Sequence, residues 1–478
     1  MAGDPSSSVD AADSGTTATA SGADGTGVFG RDFRRLTLGV LLAVSIVAFE
    51  ALGVATVLPV AARELDGLGS FGWGLSALML ANIVGAVVAS HVASRRGAWP
   101  PFTVATLVFI AGCLLAAIGP SWIAFLGGRA VQGLGVGGVM AIAFMSIGAT
   151  YPDHLQARMY ALVSSAWTIP ALAGPPIAGL LSDTIGWRWV FVIVAPVALL
   201  AGIFAAPALR RLAGHVADGD SDSRGARPVF YSVVLVAGSV VLLLALETVQ
   251  PVLLIVGVLV GLAVAAVGFR HVTPAGALVV RRGVAAGIVA RLLLSAAFFG
   301  TEAFIPLGLS ELRGTGTTLS GISLAIGAVT WVAGSFLQER LDRGGTSDRA
   351  RASALGAAVL AAGTVGVALG ILVPAVPYVV TLVGWGIGGV GMGVAFNAST
   401  AETMRLASSE ELGIASSSLQ LSQTLGTAVL AGLGGGLLHL VTAWNGPFAL
   451  AMAITFGVTI VLALLTALVS RRLRPSLA

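Results

Sequence analysis

The sequence predicts an all-α polytopic membrane protein with fourteen spans, arranged as two six-helix bundles and two inserted central helices. Three observations support this fold class. Only 10% of the 478 residues are charged and 56% are apolar, with a mean hydropathy of +0.95, whereas a soluble domain has roughly 25% charged residues. Fourteen apolar segments are long enough to cross a bilayer, and arginine is concentrated in alternate loops. A water-soluble globular protein is therefore excluded.

A transmembrane helix needs about 20 largely apolar residues, and charges, Gly-Pro breaks and Arg pairs delimit fourteen segments of that kind. They cover residues 36–62, 72–93, 100–119, 121–150, 157–182, 188–209, 229–248, 251–270, 284–310, 318–338, 352–373, 376–399, 411–439 and 447–470. All 26 basic residues are Arg, and 21 of them fall in loops on the side of the N-terminus, against three in the opposite loops. This bias predicts a multi-pass protein of the cytoplasmic membrane with both termini in the cytoplasm. It also explains the basic charge without a nucleic-acid partner.

Four regions follow along the chain. Residues 1–30 are rich in Ser, Thr, Ala, Gly and Asp, which predicts a disordered cytoplasmic tail. Residues 31–211 are predicted to form the N-terminal six-helix bundle. Residues 212–282 are predicted to be a linker with two extra transmembrane helices, and residues 283–478 the C-terminal bundle.

An internal repeat supports the two-bundle arrangement. Residues 57–69 read VLPVAARELDGLG and residues 304–316 read FIPLGLSELRGTG, with five of thirteen positions identical at an offset of 247. Eight spans separate the two copies, so both halves have the same orientation, as in parallel repeats of secondary transporters. A chance match between spans rich in Ala, Leu and Gly is the alternative.

A glycine-rich segment of the fourth span carries the strongest resemblance to a known family. Residues 128–138 read GRAVQGLGVGG, which resembles the R-x-x-Q-G-x-G motif of the major facilitator superfamily, in particular of its fourteen-span drug:proton antiporters. The resemblance covers the chain after residue 30. It implies a multidrug efflux transporter in which Arg129 helps to couple proton movement to transport. A structural Arg that caps carbonyl groups of a kinked neighbour is the alternative.

Span five is similar to the antiporter-associated motif G-x-x-x-G-P-x-x-G-G of that family. Gly174, Pro175, Pro176 and Gly179 match it, whereas other residues replace two of its glycines. The resemblance implies an exporter with a helix face suited to a tightly packed partner, and a Pro-kinked span without directional meaning is the alternative. Residues 186–191 (GWRWVF) also resemble a family motif, and we expect them to form an interfacial aromatic belt.

The loop after span two departs from the superfamily's G-x-x-x-D-R-x-G-R signature. It keeps Arg95 and Gly97, but Ser94 stands where the signature has Asp. The corresponding loop of the second half retains an Asp-Arg pair, Asp342 and Arg343. This departure weakens the expectation of the usual charge relay at Ser94.

Ionisable residues within spans are costly and commonly functional. Glu50 and Arg129 should lie at similar depths near the middle of the membrane, so an interaction between them is expected, with Glu50 as the principal proton-coupling acid. Glu302 is a second coupling candidate, and it is too far from Arg291 on the same span to pair with it. For each acid a purely structural role is the alternative.

Polar and aromatic residues on spans next to a central cavity are candidates for substrate contact. They are Asn82, Gln132, Ser165, Trp167, Phe299, Trp331, Asn397, Gln420 and Gln423. Helix packing explains each of them equally well.

No catalytic or metal-binding pattern is found, because the five His residues are scattered and Cys113 is the only cysteine. The Gly-rich run 384–393 lacks the Lys of a nucleotide-binding loop. We therefore expect a monomeric transporter without cofactor or metal, with protons and a small lipophilic compound as its partners. An exporter or symporter of an endogenous metabolite or lipid precursor is the alternative, and a non-transporting membrane scaffold is the alternative from another class.

Overall fold

The computed structural model describes residues 27–31, 33–212, 227–343, 348–408 and 411–474, and within these ranges the fold is all-helical. Among the described residues, thirteen helices are long and apolar enough to cross a membrane. The helices are α1 (Arg34–Glu64), α2 (Trp73–Arg96), α3 (Trp99–Ile118), α4 (Trp122–Thr150), α5 (Asp153–Ser165), α6 (Thr168–Thr184), α7 (Arg188–Leu212), α8 (Arg227–Ala245), α9 (Pro251–Val272), α10 (Val284–Arg313), α11 (Thr317–Arg343), α12 (Arg349–Leu372), α13 (Val379–Leu406), α14 (Leu412–Ala443) and α15 (Phe448–Ser470).

The predicted fifth span consists of two shorter helices, α5 and α6, which meet at Ala166 and Trp167. Pro170 explains the break, because its ring clashes with the carbonyl four residues earlier and it has no N–H to donate. That carbonyl belongs to Ala166 and accepts a hydrogen bond from the Ser45 hydroxyl of α1 at 3.1 Å instead. The span predicted over 157–182 is therefore interrupted near Ala166, ahead of Pro175 and Pro176, at which a bend is expected.

The predicted disordered tail is corrected at its end. Residues 27–30 form a turn packed on α1, in which the side chain of Val28 is 1% exposed. The Thr37 hydroxyl donates to the Val28 carbonyl at 2.5 Å. Residues 1–26 lie outside the described part of the chain.

Two groups of helices pack separately, with two main crossings between them. In the front half, α1 packs on α6 and α7, α2 on α4, and α3 on α4 and α7. In the back half, α10 packs on α14 and α15, α11 on α13, and α12 on α13 and α15. The halves meet mainly where α6 crosses α11 and where α2 crosses α14.

The inserted helices α8 and α9 form a tight pair. A Cβ at Gly238 or Gly268 would meet backbone atoms of the other helix, so glycine permits the close approach. Helix α8 also packs on α2 and α14, one helix from each half, whereas the side chains of α9 are largely exposed. The pair therefore lies against the α2–α14 crossing.

Polar contacts join the two halves at the end of the bundle where α1 ends and α11 begins, which we call the far end. Arg63 of α1 pairs with Glu311 of α10 at 2.8 Å. The Asp183 carboxylate of α6 accepts hydrogen bonds from the Thr318 backbone N–H of α11 at 3.1 Å and from the Thr318 hydroxyl at 2.6 Å. At the opposite end, where α1 begins and α15 ends, most residues in the first turns of α14 are exposed. The halves are thus sealed at the far end.

Candidate functional site

A buried ion pair lies at the centre of the front half. Arg129 of α4 donates from Nη1 to Glu50 Oε1 of α1, and both side chains are 1% exposed. The same nitrogen donates to Gln132 Oε1 at 2.6 Å, and Nε donates to the Gly74 carbonyl of α2 at 2.9 Å. Gln132 in turn donates to Cys113 Sγ of α3 at 3.0 Å. The Arg129 network therefore connects α1, α2, α3 and α4.

The glycines of the fourth span let this network form. A Cβ at Gly133 would meet the Leu78 carbonyl of α2, so the missing side chain allows α2 to come close enough for its Gly74 carbonyl to reach Arg129. The interaction between Glu50 and Arg129 that their depths indicate is present, and carbonyl capping by Arg129 is present as well. The proton-coupling role of both residues stays a prediction.

One oxygen of the Glu50 carboxylate is free. Oε1 is held by Arg129, whereas the buried Oε2 has no hydrogen-bond partner among the residues that the structure describes. An unsatisfied buried carboxylate oxygen is costly, and protonation turns it into a neutral donor. The Glu50 carboxylate is therefore held through one oxygen only.

The back half has a buried cation that no carboxylate of the described residues contacts. Arg291 of α10 is 3% exposed, and its Nη2 donates to the Thr400 hydroxyl and, at 3.2 Å, to the Phe396 carbonyl of α13. Its guanidinium carbon lies 3.5 Å from the centroid of the Phe396 ring. Glu302 is eleven residues further along α10, about 16 Å at 1.5 Å per residue. The two charges therefore lie apart, as the sequence predicts.

Five aromatic side chains form a cluster between α10, α11 and α13, which we call the aromatic cluster: Phe298, Phe299, Trp331, Trp385 and Phe396. The ring centroids of Trp331 and Phe396 are 5.2 Å apart, and those of Phe298 and Trp385 are 4.5 Å apart. Phe299, Trp331 and Phe396 remain partly exposed in mid-helix. The predicted candidates Phe299 and Trp331 thus come together. Sequence reasoning missed Phe396 and Trp385, although Phe396 precedes the candidate Asn397.

The other cavity candidates are dispersed. Gln132 is fully buried in the Arg129 network. Asn82, Asn397 and Gln423 are partly buried on α2, α13 and α14, and Gln420 is exposed. Ser165 and Trp167 are exposed at the break between α5 and α6, outside the aromatic cluster. Their contact with substrate stays a prediction.

The antiporter-like motif lies where the halves meet. A Cβ at Gly179 would lie 2.8 Å from the Thr318 Cα of α11, and one at Gly321 would meet the Pro175 carbonyl. Pro176 follows within the same continuous helix, and a Cβ at Gly174 would contact Phe49 of α1 at 3.4 Å. The expected flat face for a tightly packed partner is thus present, and that partner is α11. A directional role of the motif stays a prediction.

The loop-motif residues make contacts within their own half. Gly97 ends α2 with a φ of 79°, and its N–H donates to the Ala93 carbonyl at 2.9 Å. Arg95, near the end of α2, is exposed. Asp342 accepts from Arg349 of α12 at 3.2 Å, and Arg343 pairs with Glu339 one turn away. The contact between Asp342 and Arg349 links α11 to α12.

The expectation of an interfacial aromatic belt at 186–191 is wrong for its first tryptophan. Trp187 is 2% exposed, packs against Phe125, and donates from its indole N–H to Glu64 at 2.7 Å. Trp189 is 51% exposed, as a belt residue would be. The two tryptophans are two residues apart and point in nearly opposite directions, so one is buried and the other is exposed.

Long apolar helices in two packed halves, with charged groups buried in each, define a multi-pass helical membrane protein. The sequence profile of the Major Facilitator Superfamily matches residues 40–365, and the chain belongs to that family.

Curated relatives include several named as efflux proteins. The chain is 28% identical over 169 residues to the efflux pump roqT of Penicillium rubens, and that alignment covers 35% of this chain and 31% of the relative. It is 26% identical over 175 residues to the multidrug transporter protein MdtP of Bacillus subtilis, covering 37% of this chain and 32% of the relative. The matched segment thus spans about a third of the length of these relatives.

Solved structures show the same fold at low sequence identity. A crystal structure of the peptide transporter POT in complex with sulfate superposes with a TM-score of 0.67 at 15% identity, covering 91% of this chain and 94% of that one. A D-xylose-proton symporter superposes with a TM-score of 0.62 at 14% identity, covering 92% and 98%. The similarity concerns the fold alone.

Proposed function

We propose that the protein is a proton-coupled secondary active transporter that exports lipophilic, drug-like compounds by alternating access. The observation that carries the proposal is the buried Glu50 carboxylate, with one oxygen held by Arg129 and the other without a partner. The relatives named as efflux pump and multidrug transporter support the class of substrate and the direction. The protein itself needs no cofactor for this mechanism.

Protonation of Glu50 is the coupling step. It removes the negative charge that faces Arg129, so the attraction between the two side chains falls. Arg129 also holds the Gly74 carbonyl of α2, and α2 crosses α14 of the other half. Protonation of Glu50 thereby affects the position of α2, a helix at the boundary between the halves. Glu302, buried near the aromatic cluster, is the second acid that we assign to coupling.

The sealed far end is one of the two states that alternating access requires. If both termini are cytoplasmic in the plasma membrane, as the arginine bias indicates, the far end is extracellular and the exposed end of α14 faces the cytoplasm. Substrate then enters from the cytoplasm between the halves. Proton uptake from outside requires the far-end contacts of Asp183 and Glu311 to open.

The test is substrate-induced proton movement in reconstituted vesicles that contain a pH-sensitive dye. A panel of lipophilic compounds is added to wild type, Glu50→Gln and, as a matched control, Glu411→Gln, whose carboxylate only accepts hydrogen bonds from Ser408 at the exposed start of α14. We expect a proton signal in wild type and Glu411→Gln. In Glu50→Gln we expect it to be abolished while substrate still binds, because the amide can keep the hydrogen bond from Arg129.

Undiminished proton-driven transport in Glu50→Gln would remove Glu50 from the mechanism. Binding without proton movement in wild type would indicate a uniporter or a scaffold. Movement of substrate and protons in the same direction would favour symport of an endogenous metabolite.

A further inference from the structure

In the part of the chain that the structure describes, the buried Arg291 has no counter-charge, whereas Arg129 has one. Its partners are a hydroxyl, a carbonyl and the face of the Phe396 ring, all of them neutral. Its Nε has no partner among the described residues, nor has the hydroxyl of Ser295, which lies one turn further on the same helix face and is equally buried. Two buried donors one turn apart thus lack acceptors.

We propose that Arg291 and the aromatic cluster form the substrate subsite of the back half, and that the subsite selects compounds in which a carboxylate-like anion is attached to a planar aromatic body. The inference rests on the proposed export function and specifies its substrate class.

The guanidinium of Arg291 is buried, and part of its hydrogen-bonding capacity is unused. Burial of an ionised side chain is costly unless it is paired and hydrogen-bonded. Arg291 has two neutral acceptors and one aromatic face, which leaves part of its donor fork unused. A carboxylate binds such a fork through two parallel hydrogen bonds, and charge-assisted bonds of this kind are about twice as strong as neutral ones. The missing partner is therefore an anion.

Nearby acids within the described residues do not supply this anion. Glu402 lies on α13 close to Thr400, but both of its oxygens accept from Arg405, at 2.9 and 2.6 Å. Glu302 shares the helix with Arg291 but is about 16 Å further along its axis. The charge of Arg291 is thus left for a bound molecule.

Arg291 is in direct contact with the aromatic cluster. Phe396 contacts the guanidinium on one side, and its ring centroid is 5.2 Å from that of Trp331 on the other. Trp331 also lies 5.9 Å from Phe299, and these three rings are partly exposed in mid-helix. Offset and edge-to-face contacts of such rings favour a planar aromatic ligand. A molecule with an acid at one end and rings at the other would contact both parts at once.

Binding of a matched set of probes to the purified full-length protein tests the inference. The probes are 1-pyrenebutyrate, its uncharged amide and 1-pyrenemethylammonium, measured by equilibrium dialysis with wild type, Arg291→Gln, Arg291→Lys and the control Arg340→Gln at an exposed position of α11. We expect wild type to prefer the carboxylate. Arg291→Gln should weaken carboxylate binding roughly ten- to a hundredfold, as loss of a charge-assisted hydrogen bond does. Arg291→Lys should restore part of it, and binding of the amide should stay unchanged in every variant.

Three results would overturn the inference. Equal binding of the three probes by wild type is one. Equal loss of carboxylate and amide binding in a folded Arg291→Gln variant is another, since Arg291 would then not recognise the negative charge. The third is displacement of 1-pyrenebutyrate by phosphatidylglycerol but not by phosphatidylcholine in mixed micelles, which would make a lipid headgroup the anion.

The proposed function fails separately. If no compound moves protons in vesicles, the coupling mechanism is wrong even where the carboxylate preference holds. If proton-coupled export is found but charge does not affect binding, only the substrate class is wrong.

Discussion

Each half of the protein buries an arginine in its interior, and the two arginines have different partners. Arg129 of the front half has a carboxylate, an amide and a backbone carbonyl as acceptors. Among the described residues, Arg291 of the back half has only neutral acceptors and an aromatic face. The front half therefore satisfies its charge internally, whereas the described residues give the charge of the back half no counter-charge. In the two proposals made above, the first arginine serves proton coupling and the second binds substrate.

The sharpest test of this contrast compares Arg129→Met with Arg291→Met. Removal of Arg129 leaves the Glu50 carboxylate buried without a counter-charge, which should cost about 3–5 kcal/mol of stability. Removal of Arg291 leaves the Thr400 hydroxyl still bonded to the Phe396 carbonyl at 2.5 Å, so the stability should stay unchanged or rise. Thermal unfolding in detergent, followed by circular dichroism, measures both.

The double variant Glu50→Gln/Arg129→Met is the control for that experiment, because it removes both charges and should recover much of the lost stability. Equal destabilisation by the two single variants would show that Arg291 has an internal partner, and the contrast between the halves would be lost.

A second test loosens the seal that the halves share without touching either arginine. Asp183→Ala removes the two hydrogen bonds to Thr318 of α11. At about 1 kcal/mol each for partly exposed hydrogen bonds, the population with an open far end should rise roughly thirtyfold. Labelling of Leu324→Cys by a membrane-impermeant maleimide, in a Cys113→Ala background, measures this population, since Leu324 is buried near the far end.

Thr184→Ala is the matched control for the seal. The Thr184 hydroxyl donates to the Leu180 carbonyl within α6 and should leave the labelling rate unchanged. Identical rates in Asp183→Ala and wild type would mean that apolar packing alone holds the far end closed.

The smallest expected effect concerns the third helix of each half. Helix α3 begins without a side-chain cap, whereas Asp348 caps α12 by accepting from the Arg351 N–H at 3.1 Å. Burial acts to raise the pKa of Asp348, but the hydrogen bonds from Arg351 and Arg474 outweigh it, and the pKa lies below its ordinary value. A lowered pKa contributes stability above the unfolded value of about 4, and that stability is lost as the pH falls through the folded value.

Asp348→Ala should therefore cost about 0.5–2 kcal/mol at neutral pH and progressively less in acid. Ser121→Ala at the start of α4 removes a neutral cap, and its effect should not depend on pH. Unfolding midpoints of both variants between neutral and acidic pH measure the difference. A cost that is independent of pH in Asp348→Ala would contradict the assignment.

Several features of the site followed from the sequence, and others needed partners from distant parts of the chain. The depth of Glu50 and Arg129 in their spans predicts that they meet, because two buried opposite charges at one level have few other partners. Gln132 was expected in the cavity, yet its position three residues after Arg129 makes it an acceptor for that side chain. Pro170 indicates a break at Ala166, but the apolar segment is long enough to be taken as one span.

Hydropathy, the arginine bias and the internal repeat by themselves determined that the chain is a multi-pass helical membrane protein, because the bilayer requires long apolar helices and favours arginine on one side. Only the tertiary structure decided that Glu50 keeps a free oxygen, that α6 and α11 seal the far end, and that Arg291 meets Phe396 and Thr400 more than a hundred residues away. Such contacts depend on how neighbouring helices rotate and cross. In this chain small residues at the helix crossings determine the crossing angles. The partners of each buried side chain become defined only when the helices pack.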